Sequence, residues 1–374
     1  MRLYEGNNFL FRILAIISTC IKGMFMIANE MAERRENPQK QVAVACKKNW
    51  TKDGTTTGNV KIVPFNAEKT ISSFQTDKKT LVKPFLKWAG GKGQLLNAIR
   101  KYYPFEDGKI TKYAEPFVGG GAVLFDVLSR YDLEAVYISD VNKELINTYR
   151  VIKTDVDTLV SFLENYQNEY ISLNIDERKQ YYLHKREIFN HLKISEDETK
   201  NVEKAALMIF LNKTCFNGLY RVNRKGLFNV PMGSYKNPMI CDEKNLLAIS
   251  GKLKNVEIVC QDYQASADFI DDKTFVYFDP PYRPLTETAS FTAYTENLFS
   301  DAEQIKLAKF VDAMDKKKAK ILVSNSDPKN SNTDDDFFDE IYQGHKIKRI
   351  EALRMINCNS EARGKIKELL ISNV

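Results

Sequence analysis

The sequence predicts an α/β fold, a mainly parallel sheet interrupted by one long insertion. Three observations predict it. Apolar, strand-like runs alternate with helical stretches. Two of those runs end in chemistry-bearing turns, Gly119-Gly120-Gly121 after one and Asp279-Pro280-Pro281-Tyr282 after another. The alternation lapses over residues 155–245 and then resumes. A chain of 374 residues, at about 150 per domain, has room for such a core and its insertion.

Composition narrows the function classes. With 43% hydrophobic and 28% charged residues the chain reads as globular, which argues against disorder and against a polytopic membrane protein. The formal charge of +6 allows contact with a polyanion without arguing for one. Cys20, Cys46, Cys215, Cys241, Cys260 and Cys358 form no CxxC pair and have no histidine at ligand spacing. That fits a reducing, cytoplasmic compartment and argues against structural zinc or a disulfide framework. His184, His191 and His345 lie in charged or basic stretches, so Ser–His and Cys–His hydrolases drop from the front rank.

Residues 1–80 are expected to be an extension. Phe9 to Ala28 is largely apolar, but Arg12 and Lys22 interrupt it and Glu5 stands where a signal sequence is basic. The preferred reading is a flexible leader or misplaced start, with a membrane or partner-binding helix as the alternative. Residues 81–154 are read as the first half of the core. A turn at Ala89–Gly93 precedes a helix through Leu95, Leu96 and Ile99. A strand near Tyr113 enters the loop EPFVGGGA (Glu115–Ala122), followed by a helix through Val123, Leu124, Val127 and Leu128. The strand Ala135–Ser139 ends on Asp140, and Asn142 caps a helix carrying Leu145, Ile146, Tyr149 and Ile152 on one face.

The insertion, 155–245, is expected to be helical at first and then a hairpin over FNGLYRVNRKGLFNVP with Gly226 in its turn. The core resumes over 246–374 with strands at Val256–Val259, Thr274–Phe278 and Ile321–Val323. Ser300 with Glu303 reads as a capping box for the helix through Ile305 and Phe310, and the C-terminus as a basic segment. Lys316–Lys318 are expected to complement a helix C-terminus, and Asp334–Asp336 to form a solvated loop.

The glycine loop lets a ligand approach the backbone at a helix start, and an acid roughly twenty residues on can accept both ribose hydroxyls. This combination suggests a nucleoside-containing cofactor bound by Phe117, Gly119, Gly121 and Asp140. Leu124 stands where a dinucleotide site would place its third glycine, which favours S-adenosylmethionine over NAD. Asp279 follows the apolar strand Phe275–Phe278, at the expected ligand crevice of an open sheet. Pro280 and Pro281 hold the turn rigid and leave the Pro280 carbonyl to accept, while Tyr282 offers a face for stacking.

Asp279, Pro280 and Tyr282 suit one chemical problem. An exocyclic adenine amine is a poor nucleophile, because its lone pair is delocalised into the ring. Two acceptors bonding its two N–H groups draw the nitrogen towards sp³ geometry, with the lone pair aimed at a methyl sulfonium. Positioning then supplies most of the rate, with no metal or covalent nucleophile required. A base in duplex DNA must first flip out, and an aromatic repays part of that. Gly90-Gly91-Lys92 lacks the first glycine and the Ser/Thr of a phosphate loop, so an ATPase is set aside.

With FLKWAGGK (85–92), EPFVGGGA, Asp140, FNGLYRVNRKGLFNVP, DPPY, FTAY (291–294) and NSEARGKIKELL in this order, the chain resembles the Dam-type, α-group (D12 class) DNA adenine-N6 methyltransferases from Val82 onward. The resemblance implies a Rossmann-like S-adenosylmethionine-dependent core with an inserted, mainly helical target-recognition domain bearing a β-hairpin. It implies that Trp88 and Lys92 contact cofactor, that Asp140 holds the ribose, that Asp262 lies by the cofactor's adenine, and that Asp279 serves cofactor and target amine. It also implies that Lys87 reaches DNA, Phe216 wedges into the base stack, and Asn217, Leu219 and Arg221 approach bases or backbone. Arg224 and Lys236 join this basic face, which Lys213 and Lys225 extend. The implied partner is double-stranded DNA, with a cognate restriction endonuclease as a functional rather than physical associate and the enzyme itself a monomer near the nucleoid. GATC-specific relatives usually carry Arg or Lys after the glycine where this chain has Met232-Gly233-Ser234-Tyr235, so GATC or a related site is expected, with Lys236 or Arg224 as substitutes. The rival readings are methylation of rRNA or of a protein glutamine, and a catalytically silent DNA-binding homologue.

Overall fold

A computed structural model describes residues 81–88, 90–195, 197–283, 299–353 and 365–374. The expectations for residues 1–80, for FTAY and for most of NSEARGK lie outside the described residues.

Seven strands form one sheet in the order β3-β2-β1-β4-β5-β7-β6. They are β1 Lys112–Glu115, β2 Ala135–Ser139, β3 Val256–Val259, β4 Thr274–Phe278, β5 Lys320–Ser326, β6 Lys346–Leu353 and β7 Lys365–Ser372. β1 to β5 pair in parallel, whereas β7 is antiparallel to β5 and to β6. All five residues of β4 are buried, as a strand covered on both faces requires, and its TFVYF composition supplies the apolar surface.

From β1 the connections run to β2 and β3 on one side. From β4 they run to β5 on the other. β1 and β4 are therefore neighbours at which the connection order reverses, where open α/β sheets bind ligands at the strand C-termini. The turns EPFVGGGA and DPPY leave from these two ends.

Helix α1, Ala122–Arg130, starts directly on Gly121, and α2, Lys143–Thr154, starts on Asn142. The Asn142 side chain accepts the Leu145 N–H at 2.9 Å, as its position before the apolar-periodic run predicts. Residues 155–245 contain α3 Val156–Ser172, α4 Ile175–Ser195 and α5 Asn201–Thr214. α5 is apolar nearly all round, with nine residues buried, because α2, α3 and α4 each pack against it. α6, Glu243–Leu253, leads back to β3. One apolar cluster runs without a break from Tyr113 and Val123 through Ile146 to Phe189 and Phe210.

Several local expectations are corrected. The hairpin has no extended strands, only the isolated bridges Cys215–Met232 and Val222–Phe228 around a turn in which Gly226 takes φ +70°. The helix after the Gly-Gly-Lys turn is broken into Lys92–Gln94, Leu96–Ile99 and Arg100–Tyr102. Ser300 stands at the N-cap of α7, Asp301–Lys316, without a side-chain cap bond, and Glu303 pairs with Lys306 at 2.6 Å instead of reaching back. Lys316–Lys318 do stand at the C-terminus of α7, Lys316 in its last turn, Lys317 at the C-cap and Lys318 at φ +68°, although the Lys317 ammonium donates outside the helix, to Ala267 O at 2.7 Å. Asp334–Asp336 is more than a solvated loop, since Asp335 accepts from Arg283 Nη1 at 2.6 Å and Asp336 pairs with Lys329. The basic C-terminus is two strands, and the strand expected at 321–323 extends over Lys320–Ser326.

Candidate active site

Trp88 and Lys92 each reach one half of the site, the glycine loop and Asp279 respectively. At one end the Trp88 ring lies against the glycine loop, where a Cβ on Gly119 would stand 2.9 Å from Trp88 Cδ1 and one on Gly120 3.0 Å from Trp88 Cβ. Gly119 and Gly121 also adopt φ +47° and +70°, which side chains rarely tolerate. Tyr149 fixes the loop from beneath, its hydroxyl donating to Gly119 O at 3.1 Å.

Asp140 closes this half. One carboxylate oxygen accepts the Gly119 N–H at 3.2 Å and the other the Asn142 N–H at 2.9 Å. Burial raises its pKa, against the pull of these backbone donors. Phe117 stacks on Tyr263 at 5.4 Å between centroids and 29° between planes, immediately after Asp262. Asp262 itself is exposed and accepts the Gln264 N–H at 3.0 Å, capping the helical turn Tyr263–Asp268.

At the other end Lys92 is 4% exposed and its ammonium lies 2.7 Å from Asp279 Oδ1. It also donates to Gly90 O at 2.6 Å and sits 4.7 Å from the centre of the Tyr282 ring. Ser324 Oγ on β5 donates to the same Asp279 oxygen at 2.9 Å. Both donors take Oδ1, so Oδ2 keeps its acceptor capacity. Burial is the main effect on Asp279 and raises its pKa, with Lys92 and Ser324 opposing it. Pro280 is buried, and the turn is pinned by Gln304 Nε2 donating to Pro281 O at 3.0 Å. Among the described residues no hydrogen bond reaches the Pro280 carbonyl.

Two acids to which the sequence motifs assign no role belong to this group. Glu115, at the end of β1, is 2% exposed and accepts the Tyr113 hydroxyl at 2.7 Å. Burial pushes its carboxyl up to about 8, with the Asp279 charge adding to the rise and Lys92 opposing it. Glu368, on β7, accepts the Tyr282 hydroxyl at 2.7 Å, and burial raises its pKa too. The first letter of EPFVGGGA is a visible signal for Glu115. Glu368 has none, because its strand reads as a basic tail.

The basic segment lies beside Trp88. Tyr220 stacks on Trp88 at 5.6 Å and 26°, and donates to Glu144 Oε2 on α2 at 3.1 Å. The buried Asn212 on α5 ties Lys87 to the FNG turn, accepting the Lys87 N–H and donating to Lys87 O and Gly218 O, each at 2.8 Å. Phe216 is 51% exposed beside Asn217, whose φ of +55° makes the chain turn sharply there. Lys87 Nζ reaches Tyr235 Oη at 3.2 Å, and Arg221 donates to Asn229 Oδ1 at 2.8 Å. Arg224, Lys225, Ser234 and Lys236 are exposed, whereas Leu219 is half-buried against the core and Lys213 is partly buried.

An Asp-Pro-Pro-Tyr turn at the end of β4 and a glycine loop at the end of β1 flank the switch point of a seven-stranded sheet, which defines an α/β protein whose ligand crevice lies at the strand ends. Residues 88–356 match the D12 class N6 adenine-specific DNA methyltransferase family. The chain is 52% identical to the Type II methyltransferase M.MjaIII of Methanocaldococcus jannaschii over 78% of this chain and 99% of that protein. It is 38% identical to the Type II methyltransferase M1.LlaDCHI of Lactococcus lactis subsp. cremoris, over 79% and 96%. It is 34% identical to the DNA adenine methylase of Escherichia coli K12, over 77% and 94%. The chain therefore belongs to the D12 class of N6 adenine-specific DNA methyltransferases. Among the described residues no helix is long and apolar enough to cross a membrane.

Proposed function

We propose that this chain moves a methyl group from S-adenosylmethionine to N6 of an adenine extruded from double-stranded DNA, within GATC or a related short site. The observation that carries this reading is the arrangement at Asp279, with Oδ1 held by Lys92 and Ser324 and Oδ2 left to accept.

The donor set fits the cofactor. Asp279 and Glu368 both interact with the Lys92 ammonium, and a sulfonium placed beside them would favour their ionised forms, while Glu115, pushed up to about 8, adds acceptor oxygens rather than charge at neutral pH. Asp140 spends one lone pair per oxygen on backbone N–H groups, so a ribose diol finds acceptor capacity there. Trp88, Phe117, Gly119, Gly121 and Asp262 complete the binding surface in this reading. When bound, S-adenosylmethionine supplies an electrophilic methyl group on a positively charged sulfur.

The chain's own residues then act by position. Asp279 Oδ2 and the Pro280 carbonyl accept the two N–H groups of the amine and aim its lone pair. With the cofactor bound, attack by N6 on the methyl carbon would release sulfur with the bonding electron pair. N6 sheds one proton along its hydrogen bond to Asp279. Extruding the adenine costs a few kcal/mol, and stacking on Tyr282 returns about 1–3 kcal/mol of it.

Residues 155–245 act as the target-recognition domain in this reading. Phe216 and Asn217 fill the gap left by the extruded base, while Lys87, Leu219, Arg221, Arg224 and Lys236 contact bases and phosphates. Asn212 supports this by coupling Lys87 to the FNG turn. The names of the two Type II relatives support a restriction–modification setting. Expression in a host lacking adenine methylation, followed by modification-sensitive sequencing, tests the proposal. N6-methyladenine at one short site is expected, and unmodified DNA would overturn it.

A further inference from the structure

We propose that Glu368 is a positioning residue of the methyl-transfer site, fixing the plane of the Tyr282 ring against which the extruded adenine stacks. The inference rests on the function proposed above and adds a member to that site.

Tyr282 is restrained at two places. Its hydroxyl donates to Glu368 Oε2 at 2.7 Å, and the Lys92 ammonium lies 4.7 Å from the ring centre on one face. Pro280 and Pro281 fix the backbone up to the ring but not the torsion about its Cα–Cβ bond, so an anchor at the far end of the phenol decides where the face points.

Glu368 is a rigid anchor. It pairs with Ser326 of β5 on one side and Ile350 of β6 on the other, and Leu369, Leu370 and Ile371 after it are fully buried. β7 is the antiparallel strand beside β5, which also supplies Ser324 to Asp279. Neighbouring strands thus hold the two acceptor-side elements of the site, one through Asp279 and one through Tyr282. A phenol O–H donating to a carboxyl oxygen at 2.7 Å is a short, directional bond, which suits it to hold a ring.

Single-turnover methylation of a duplex oligonucleotide by the full chain, with labelled S-adenosylmethionine, tests the inference through four variants. Glu368→Ala and Tyr282→Phe should each slow the turnover about tenfold, with affinity for cofactor and DNA kept within about twofold. The double variant should be no slower than Glu368→Ala alone, because both changes remove the same bond. Glu368→Gln, which keeps an oxygen acceptor, should recover most of the rate. A parental rate in Glu368→Ala, multiplying effects in the double variant, or Glu368→Gln as slow as the alanine variant would each overturn the inference. Should Glu368→Ala fail to fold, a parental rate in Tyr282→Phe overturns it equally. A parent chain that leaves duplex adenine unmethylated overturns the proposed function and the inference together. With a methylating parent, the variants test the role of Glu368 alone.

Discussion

Lys92 Nζ stands 2.7 Å from Asp279 Oδ1, an ion pair between a lysine four residues after Trp88 and the acid that follows β4. The pair ties the Gly-Gly-Lys turn to the C-terminal end of β4, the strand that neighbours β1. Because Lys92 is almost wholly buried, its charge acts on Asp279 with little screening by water.

Replacing Lys92 by Met should shift the pH profile of methyl transfer. Burial already raises the Asp279 pKa and Lys92 opposes that rise, so its removal raises the pKa further. Less carboxylate is then present at a given acidic pH, and the acid limb of the single-turnover rate moves towards higher pH. Below the limb each unit of displacement lowers the rate about tenfold. An unmoved limb would separate Lys92 from the ionisation of Asp279.

Glu115 sets a stability dependence of opposite sense to an ion-paired acid. Its folded carboxyl holds a proton to about 8, while an unfolded glutamate releases it near the ordinary value of 4.5. Between these values the folded chain binds more protons than the unfolded one, so stability falls as pH rises through the window and levels above it. The total loss is on the order of a few kcal/mol. Denaturant unfolding of the parent and Glu115→Gln at pH 5 and pH 8 should show the slope in the parent and a flatter response in the variant.

Glycine substitutions should divide sharply by position. A Cβ at Gly121 would lie 2.4 Å from Tyr149 Oη on a backbone with φ +70°, whereas one at Gly93 meets nothing within 4 Å. Gly121→Ala should cost about 1–2 kcal/mol from the left-handed backbone alone, plus displacement of Tyr149 from its bond to Gly119. Gly93→Ala should be nearly neutral. Thermal unfolding of both variants, with cofactor titration, provides the comparison.

The sequence and the structure agree best where one residue type has one physical solution. The apolar run before Asp279 forms the fully buried β4, and Asn142 before a periodic helix forms its cap. Ser300 and Glu303 have the right spacing for a capping box, but Lys306 sits within reach of Glu303 and takes it. The last two strands escape a reading of the sequence because Lys346, Lys348 and Arg349 interleave with isoleucine, a charge pattern that blunts a sheet edge and hides strand periodicity. With β7 hidden, Glu368 cannot be placed beside Tyr282, since that contact exists only through the sheet order.

The basic segment should reveal its contacts through salt. Arg224 and Lys236 are exposed, and where either neutralises phosphate in the proposed complex instead of standing in for the basic residue missing at Ser234, it reads no sequence. Changing either to Ala should weaken binding uniformly across sequences and reduce the logarithmic salt slope by about 0.9. Arg221→Ala should instead relax discrimination at one base, by about 1–3 kcal/mol if the contact is bidentate. Binding titrations from low to moderate salt, on matched and mismatched duplexes, distinguish the two behaviours.

Methyl transfer from labelled S-adenosylmethionine to duplex DNA, run side by side with the parent chain and Asp279→Ala, tests the central claim most directly. The account predicts N6-methyladenine with the parent and loss of it with the variant. Equal incorporation by both proteins, or label that enters RNA or protein and spares the duplex, would contradict it.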